Sequence, residues 1–166
     1  TATLIERAVG IAQTFGSPVV VTVRNADGFS GFPPSQLLFD TPGIEGPMAG
    51  LSSALRLAQA RGIGHVLTLP CDAPLLPADL LVRLKDGLGD SHACAMSSSA
   101  GHLHPVCALW RTSILETQLR QAGARDFSLR RLAQQAGMAT VEWDVTGIDP
   151  FSNANTPEDL ARLSKW

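Results

Sequence analysis

One acidic side chain follows a buried strand of the predicted sheet and lies between two prolines, Pro70 and Pro74. Residues 65–69 are mostly apolar without strict alternation, which predicts a strand covered on both faces, as in a parallel sheet. Pro70 cannot donate to a ladder, so the strand should end there and leave Asp72 beyond its carboxyl end, where open α/β sheets bind ligands. A carboxylate on a stiff loop can hold a hard cation such as Mg²⁺. Asp72 could equally cap the turn before the helix that Pro77 opens, and the pattern leaves both interpretations open.

A second acidic residue and two glycines border the same predicted edge. A short strand over residues 36–39 delivers Asp40, and Gly46 and Gly50 lie at the mouth of an alanine- and leucine-rich helix that runs to about residue 60. Glycines there let a ligand approach the backbone closely, and the exposed N–H groups favour an anion. The alternative is a loop that needs unusual dihedral angles for folding alone. The position of Asp40 and Asp72 at one edge favours the anion site.

Two asparagines stand directly before the last predicted helix. Thr156 is expected to be its N-cap, with Pro157 at the first helical position and Asp159 at the third. This cap does not account for Asn153 and Asn155. Their amides could reach a ligand or bond their own loop.

These side chains need a fold that gathers several loops at one edge of a sheet. Strand patterns cover residues 19–23, 36–39, 65–69, 93–97, 105–110 and 138–143. Helix patterns cover residues 1–12, the segment after Gly46 to about 60, 78–88, 112–121, 129–135 and the residues after 156. Strands and helices alternate through the first half of the chain, which predicts an α/β fold with a mainly parallel sheet. The length favours a single domain over residues 1–166.

Composition excludes several classes of function. The net charge of −2 gives no basic footprint for nucleic acid or an anionic membrane, and no apolar run approaches the length of a membrane span. The three cysteines, Cys71, Cys94 and Cys107, are odd in number and widely spaced, which argues against a disulfide framework or a zinc site. A reducing cytoplasm fits this cysteine usage best.

Four segments together resemble the molybdenum cofactor guanylyltransferases, the MobA family. The segment LPCDAP at 69–74 resembles the Asp-bearing metal motif of nucleotidyltransferases with a glycosyltransferase-A-type fold, and GPMAGL at 46–51 looks like their GPLAGL segment. His104 and Pro105 resemble a substrate-side HP element. The segment FSNANTPEDL at 151–160 is similar to the more specific FxNxNTPEDL ending of the MobA family. The resemblance spans essentially the whole chain and implies a Rossmann-like three-layer sandwich of the nucleotide-diphospho-sugar transferase type.

One family feature has no match in this sequence. The family begins with a strand and a glycine-rich loop, LAGGxSxRMGxxK, which wraps the nucleotide phosphates and supplies an arginine and a lysine. This chain starts at the helix expected after that loop, and no lysine precedes Lys85. We therefore expect either a truncated chain or a leader that precedes it. A sheet without its first strand would expose backbone groups of the neighbouring strands.

The resemblance implies the transfer of GMP from GTP to molybdopterin-bound molybdenum, which gives molybdopterin guanine dinucleotide and pyrophosphate. In that reaction Asp72 would be the catalytic residue, as the ligand of Mg²⁺ and a contact of the nucleotide. Asp40 would accept hydrogen bonds from the guanine or the ribose. Asn25 could also contact the nucleotide, with Arg24 equally possible. Cys71 is expected to be a packing residue with little thiolate.

The pterin side of the site is implied by other residues. The segment around Gly46 and Gly50 would lie close to the second substrate, and Asn153 and Asn155 would orient the pterin or its phosphate. Arg125 is a candidate cation for that phosphate, although a solvated position at a helix cap is favoured for it. Implied protein partners are molybdenum insertion proteins and molybdoenzyme chaperones.

Four alternatives stay open at this point. The chain could be a cytidylyltransferase for the same pterin, a sugar-phosphate nucleotidyltransferase, or a non-catalytic module that binds the pterin. It could also be a generic α/β domain whose motifs only reflect turn chemistry.

Overall fold

The computed structural model describes residues 2–115, 117 and 128–163. The described strands are β1 (Val21–Val23), β2 (Leu37–Phe39), β3 (His65–Thr68), β4 (Cys94–Ser99), β5 (His102–Arg111) and β6 (Met138–Trp143). The helices with described bounds are α1 (Leu4–Phe15), α2 (Pro47–Ala60), α3 (Leu80–Leu88), α4 (Leu129–Ala136) and α5 (Pro157–Leu163), and a 3₁₀ turn covers Pro34–Gln36. The helix predicted over residues 112–121 lies largely outside the described residues.

The strands form two sheets. One is the parallel pair β1–β2, and the other has the order β3-β5-β4-β6. Strand β5 is antiparallel to both of its neighbours, whereas β4 and β6 are parallel. In the larger sheet, therefore, β3, β4 and β6 run one way and β5 alone runs the other way, which confirms the α/β class with a mainly parallel sheet.

The β4–β5 hairpin is longer than the sequence pattern indicated. The pattern predicts a polar loop from Ser98 to His102, but both strands extend into it and leave a turn at Ala100 and Gly101. Both turn residues have positive φ, 47° and 75°, which suits the tight turns that join antiparallel strands. Strand β5 is antiparallel to β4 because two parallel strands need a much longer crossover connection than this short turn.

Two apolar clusters lie on opposite faces of the larger sheet and make the three layers. On one face, helices α2 and α4 pack against Cys94 and Met96 of β4. On the other face, α3 packs against Ala95 of β4 and Leu109 of β5. Successive residues of a strand point to opposite faces, so β4 serves both clusters.

Helix α2 also joins the two sheets, since it packs against β1, β2 and β3. Among the described strands, β1 pairs only with β2, and β3 pairs only with β5. None of the helices in the described ranges combines the length and the apolar character that a membrane span requires.

The helix starts follow from local capping. Helix α1 begins at Leu4 because Thr3 accepts a hydrogen bond from the backbone of Glu6 while the Glu6 carboxylate accepts one from the backbone of Thr3. Thr156 makes the same reciprocal pair with Asp159 before α5, as the sequence predicts.

Candidate functional site

The loop after β3 contacts the asparagine-bearing segment before α5. The backbone N–H of Ala154 donates to the backbone carbonyl of Asp72 over 2.7 Å. Ala154 is buried, whereas the residues on either side of it, Asn153 and Asn155, are exposed. One hydrogen bond therefore joins the segment that carries both asparagines to the Asp72 loop, although about eighty residues separate the two segments.

The side chains of these residues have no partner within the described part of the chain. Asp72 is half-buried, and its carboxylate makes neither an ion pair nor a hydrogen bond with another described residue. The amides of Asn153 and Asn155 likewise make no hydrogen bond there, so they do not bond their own loop. All three polar groups are available to a ligand.

The donor set around Asp72 is small. Within the described ranges, no group of three or more His, Cys, Asp or Glu side chains could hold a metal ion. Mg²⁺ is commonly held by one or two carboxylates while substrate phosphates and waters complete its octahedron. A single half-exposed carboxylate at a sheet edge fits that mode of binding and does not fit a cage made of protein ligands alone.

A second group of residues surrounds a cavity at the end of the β1–β2 pair. Asp40 follows β2, and its backbone N–H donates to the carbonyl of Val23 over 2.9 Å, so Arg24 and Asp40 leave the parallel pair side by side. The cavity has a volume of about 310 Å³ and is lined by Arg24, Asp40, Thr41, Pro42, Gly43, Ile44 and Gly46. An arginine and a carboxylate thus line one pocket.

The loop that closes this cavity is tied to α2. The backbone N–H of Thr41 donates to the carbonyl of Ala49, and the Thr41 hydroxyl lies 2.9 Å from the hydroxyl of Ser53. Ser53 donates its own proton to the carbonyl of Phe39 over 2.7 Å. Because a carbonyl only accepts, the Thr41 hydroxyl donates to Ser53. These bonds fix the cavity wall to the helix.

The two residues considered after β1 have different surroundings. The Asn25 side chain accepts a hydrogen bond from the backbone of Asp27 over 3.1 Å and so stabilises its own turn. Arg24 lines the cavity, whereas Asn25 is not among its lining residues.

The two glycines of the 46–51 segment have different explanations. Gly46 precedes α2 with φ of 64°, a conformation that favours glycine, and it lines the cavity. Gly50 is buried, and a Cβ there would lie 2.6 Å from the Thr22 hydroxyl oxygen, so a glycine is needed for α2 to approach β1. Packing accounts for Gly50, a reason that the sequence pattern did not suggest.

A partly buried polar network that the sequence patterns did not reveal contacts the asparagine segment. The Ser99 hydroxyl donates to Oδ2 of Asp149 over 2.6 Å and lies 2.7 Å from Nε2 of His104. The His104 ring stacks on Phe151, with 4.6 Å between centroids. The sequence held one weak indication of this network. Asp149 lies four residues before Asn153, but an aspartate in that segment is also typical of a turn.

Two pKa shifts follow from these surroundings. Burial lowers the pKa of His104, which the nearby carboxylate of Asp149 opposes. Partial burial and the neighbouring Asp72 carboxylate raise the pKa of the Cys71 thiol, which agrees with the expectation of little thiolate there. The expectation that Cys71 is a packing residue is wrong, because its side chain is exposed.

No hydrogen bond among the described residues joins the residues that line the cavity, such as Arg24 and Asp40, to Asp72 or the asparagine segment. The remaining candidate, Arg125, lies outside the described residues.

Comparison with known proteins gives a consistent result. Residues 1–140 match the family model described as the MobA-like NTP transferase domain. The chain is 35% identical to a molybdenum cofactor guanylyltransferase of Rhizobium rhizogenes over 177 residues, which covers 99% of this chain and 78% of that protein. It is 39% identical to a molybdenum cofactor guanylyltransferase of Rhodopseudomonas palustris, covering 85% of this chain and 71% of that protein. For a guanylyltransferase of Rhizobium meliloti, at 36% identity, the chain spans 61% of the length.

The fold is shared with solved structures. The molybdopterin-guanine dinucleotide biosynthesis protein A of Archaeoglobus fulgidus superposes with a TM-score of 0.70 at 22% identity, covering 99% of this chain and 87% of that one. A 2-C-methyl-D-erythritol 4-phosphate cytidylyltransferase of Thermus thermophilus superposes with a TM-score of 0.64 at 18% identity, covering 99% of this chain and 90% of that one.

Proposed function

This chain belongs to the MobA-like NTP transferase family, and we propose that it transfers GMP from GTP to molybdopterin-bound molybdenum, giving molybdopterin guanine dinucleotide and pyrophosphate. Relatives that are 35% and 39% identical are named for this activity. The observation that carries the proposal is the 2.7 Å hydrogen bond from Ala154 to Asp72, since it joins the segment with two exposed asparagines to the loop with an unpaired carboxylate.

The reaction needs no protein nucleophile. An oxygen of the terminal phosphate of the pterin forms a bond to the α-phosphorus of GTP, and the bond from that phosphorus to the oxygen bridging to the β-phosphorus breaks. The electron pair leaves with pyrophosphate. Catalysis of this displacement depends on in-line positioning and on the neutralisation of charge between two anions. The protein must therefore hold two phosphate-bearing molecules next to each other.

Asp72 would hold the divalent cation, for which Mg²⁺ is the proposed identity. When bound, the cation neutralises nucleotide phosphates and stabilises the leaving pyrophosphate. The half-buried carboxylate of Asp72, which no other described side chain engages, supports this assignment.

The cavity beside Arg24 would take part of the nucleotide. Its volume of about 310 Å³ is at the lower end for a small-molecule pocket. Asp40 can accept hydrogen bonds from guanine N–H groups or ribose hydroxyls, and the Arg24 guanidinium can pair with a phosphate. Gly46 lines the same cavity, so we assign its backbone to the nucleotide side instead of the pterin side that the resemblance implies.

Asn153 and Asn155 would bind the pterin substrate. Each amide offers both a donor and an acceptor, which suits the mixed edge of a pterin ring or its phosphate. Gly50 would contact the pterin substrate only through its backbone. Arg125 remains a candidate cation for the phosphate of the pterin. We also propose action in the cytoplasm, with molybdenum insertion proteins and molybdoenzyme chaperones as partners.

The decisive experiment compares nucleotides. Purified protein carrying this chain is supplied with molybdopterin-bound molybdenum, Mg²⁺ and either GTP or CTP, and pyrophosphate and the dinucleotide are measured. We expect product with GTP and little with CTP. Preference for CTP would favour the cytidylyltransferase alternative, and pterin binding without pyrophosphate release would favour a non-catalytic binding module.

A further inference from the structure

The asparagine segment, residues 149–155, is bonded to the buried end of β4. Ser99 is fully buried, and its hydroxyl contacts both Asp149 and His104. Asp149 begins the turn that leads to Asn153, and its Oδ1 accepts from the backbone N–H of Phe151 over 2.8 Å. A single hydroxyl therefore links the sheet to the first residue of this turn.

The direction of the hydrogen bonds follows from the available protons. A carboxylate only accepts, so the one proton of the Ser99 hydroxyl is donated to Asp149. The hydroxyl oxygen then accepts from His104, whose Nε2 must carry a hydrogen. The chain runs from His104 through Ser99 to Asp149, which leaves Ser99 at its centre. A hydrolytic triad would have the histidine at the centre.

The His104 ring also contacts the asparagine segment directly, through Phe151. It stacks on Phe151 with an angle of 13° between the planes, and Phe151 in turn packs edge-on against Trp143. Phe151 is 5% exposed and Ala154 is 3% exposed. The segment is thus fixed at Asp149, Phe151 and Ala154, and the asparagines project to solvent from fixed backbone.

We propose that Ser99 is a positioning residue for the pterin substrate: its hydroxyl, bridging His104 and Asp149, holds the 149–155 segment so that Asn153 and Asn155 face the second substrate beside Asp72. This inference rests on the proposed function. Ser99 itself is buried and acts only through that segment. Its loss should therefore weaken pterin binding without an equal effect on the nucleotide.

A neighbouring serine provides the matched control. Ser97 lies on the same strand, is also fully buried, and donates to the carbonyl of Cys107 over 2.8 Å. That bond stays within the sheet and does not reach the asparagine segment. Ser97→Ala and Ser99→Ala each remove one buried hydroxyl, so a purely structural role predicts the same effect from both.

The kinetic test measures both substrates in both variants. We expect Ser99→Ala to raise the KM for the pterin about tenfold, the effect of losing about one hydrogen bond, while the KM for GTP stays nearly constant. Ser97→Ala should leave both KM values close to wild type. Should Ser99→Ala fold poorly, Asp149→Ala removes the acceptor of the Ser99 hydroxyl from the other end of the chain and should give the same pterin-specific change. Equal effects of the two serine variants, or equal losses of both substrates, would overturn the proposal.

A second readout does not depend on turnover. The NMR signals of the Ala154 backbone amide and the Asn153 and Asn155 side-chain amides should shift in Ser99→Ala and stay in place in Ser97→Ala. The nitrogen shifts of His104 should report a hydrogen on Nε2 in the wild type. Unchanged amide signals in Ser99→Ala would refute the positioning role. Absence of turnover in the wild type would refute only the proposed function, because the amide comparison would still decide on Ser99.

Discussion

The backbone N–H of Ala154 donates to the backbone carbonyl of Asp72. This bond involves no side chain of either residue, so substitution of the Asp72 carboxylate should not release the asparagine segment. The role of the carboxylate can therefore be separated from the architecture that surrounds it, and the first prediction uses this separation.

Asp72→Asn keeps the size and the backbone contact of the residue but removes the charge that would hold the cation. We expect turnover to fall about 10²-fold or more, a loss typical of removing one electrostatic contact to the reacting groups. Pyrophosphate release measured over a range of Mg²⁺ concentrations checks this. Asp86→Asn, which removes a charge from the exposed surface of α3, is the control and should behave as wild type. Near-normal activity of Asp72→Asn would refute its role as metal ligand.

Substitution of either asparagine should raise the KM for the pterin more than the KM for GTP. Asn155→Ala removes an exposed amide that makes no hydrogen bond within the described chain, so it should raise the KM for the pterin about tenfold with little loss of stability. The KM for GTP should change by less than about twofold, because the interaction removed belongs to the other substrate. Asn153→Ala, on the other side of Ala154, is the companion variant. Equal losses of both substrates would count against this assignment.

Arg24 and Asn25 are neighbours with different surroundings, and the contrast is testable. Arg24→Ala removes the cation from the cavity and should raise the KM for GTP about tenfold, as expected for a hydrogen bond to a charged group. Asn25→Ala removes only the acceptor of the Asp27 backbone N–H, so it should cost a little stability and change the KM for GTP much less. A larger kinetic effect of Asn25→Ala would reverse the assignment.

The part of the fold that the sequence predicts well is the part set by local patterns. The apolar run before Pro70 ends as β3 at Thr68, and the capping residues before α5 form the pair that their spacing indicates. Asp72 lies beyond the end of its strand for the same reason, since a proline without an N–H stops the ladder.

The features that the sequence does not reveal depend on distant residues. Serines at 98 and 99 are typical of a loop, and they belong to a strand because their backbones pair with β5 on one side and with β6, more than forty positions later, on the other. Arg24 and Asn25 are both typical of a polar turn. Only the pairing of β1 with β2 shows that Arg24 lines the cavity together with Asp40. Local propensity carries no information on such contacts.

Gly50 and Gly10 are both helical glycines, and the structure predicts opposite effects of an alanine at each. A Cβ at position 50 would lie 2.6 Å from the Thr22 hydroxyl oxygen, so Gly50→Ala must push α2 away from β1. We expect a loss of about 1–3 kcal/mol in the free energy of unfolding, the usual cost of overpacking. Gly10 lies exposed in α1, and no atom lies within 4 Å of the position that a Cβ would occupy there. Gly10→Ala should therefore stabilise the protein by about 0.5–1 kcal/mol.

Urea unfolding of the two variants measures both changes on one scale. The double variant Thr22→Ala with Gly50→Ala removes the hydroxyl that the new Cβ meets and should recover part of the lost stability, though not all, because the Cβ of residue 22 stays about 3.0 Å away. This coupling between contacting residues separates a packing role from a role in ligand binding. If Gly50→Ala unfolded like wild type yet lost turnover, close approach of the substrate to the backbone, and not helix packing, would explain the glycine.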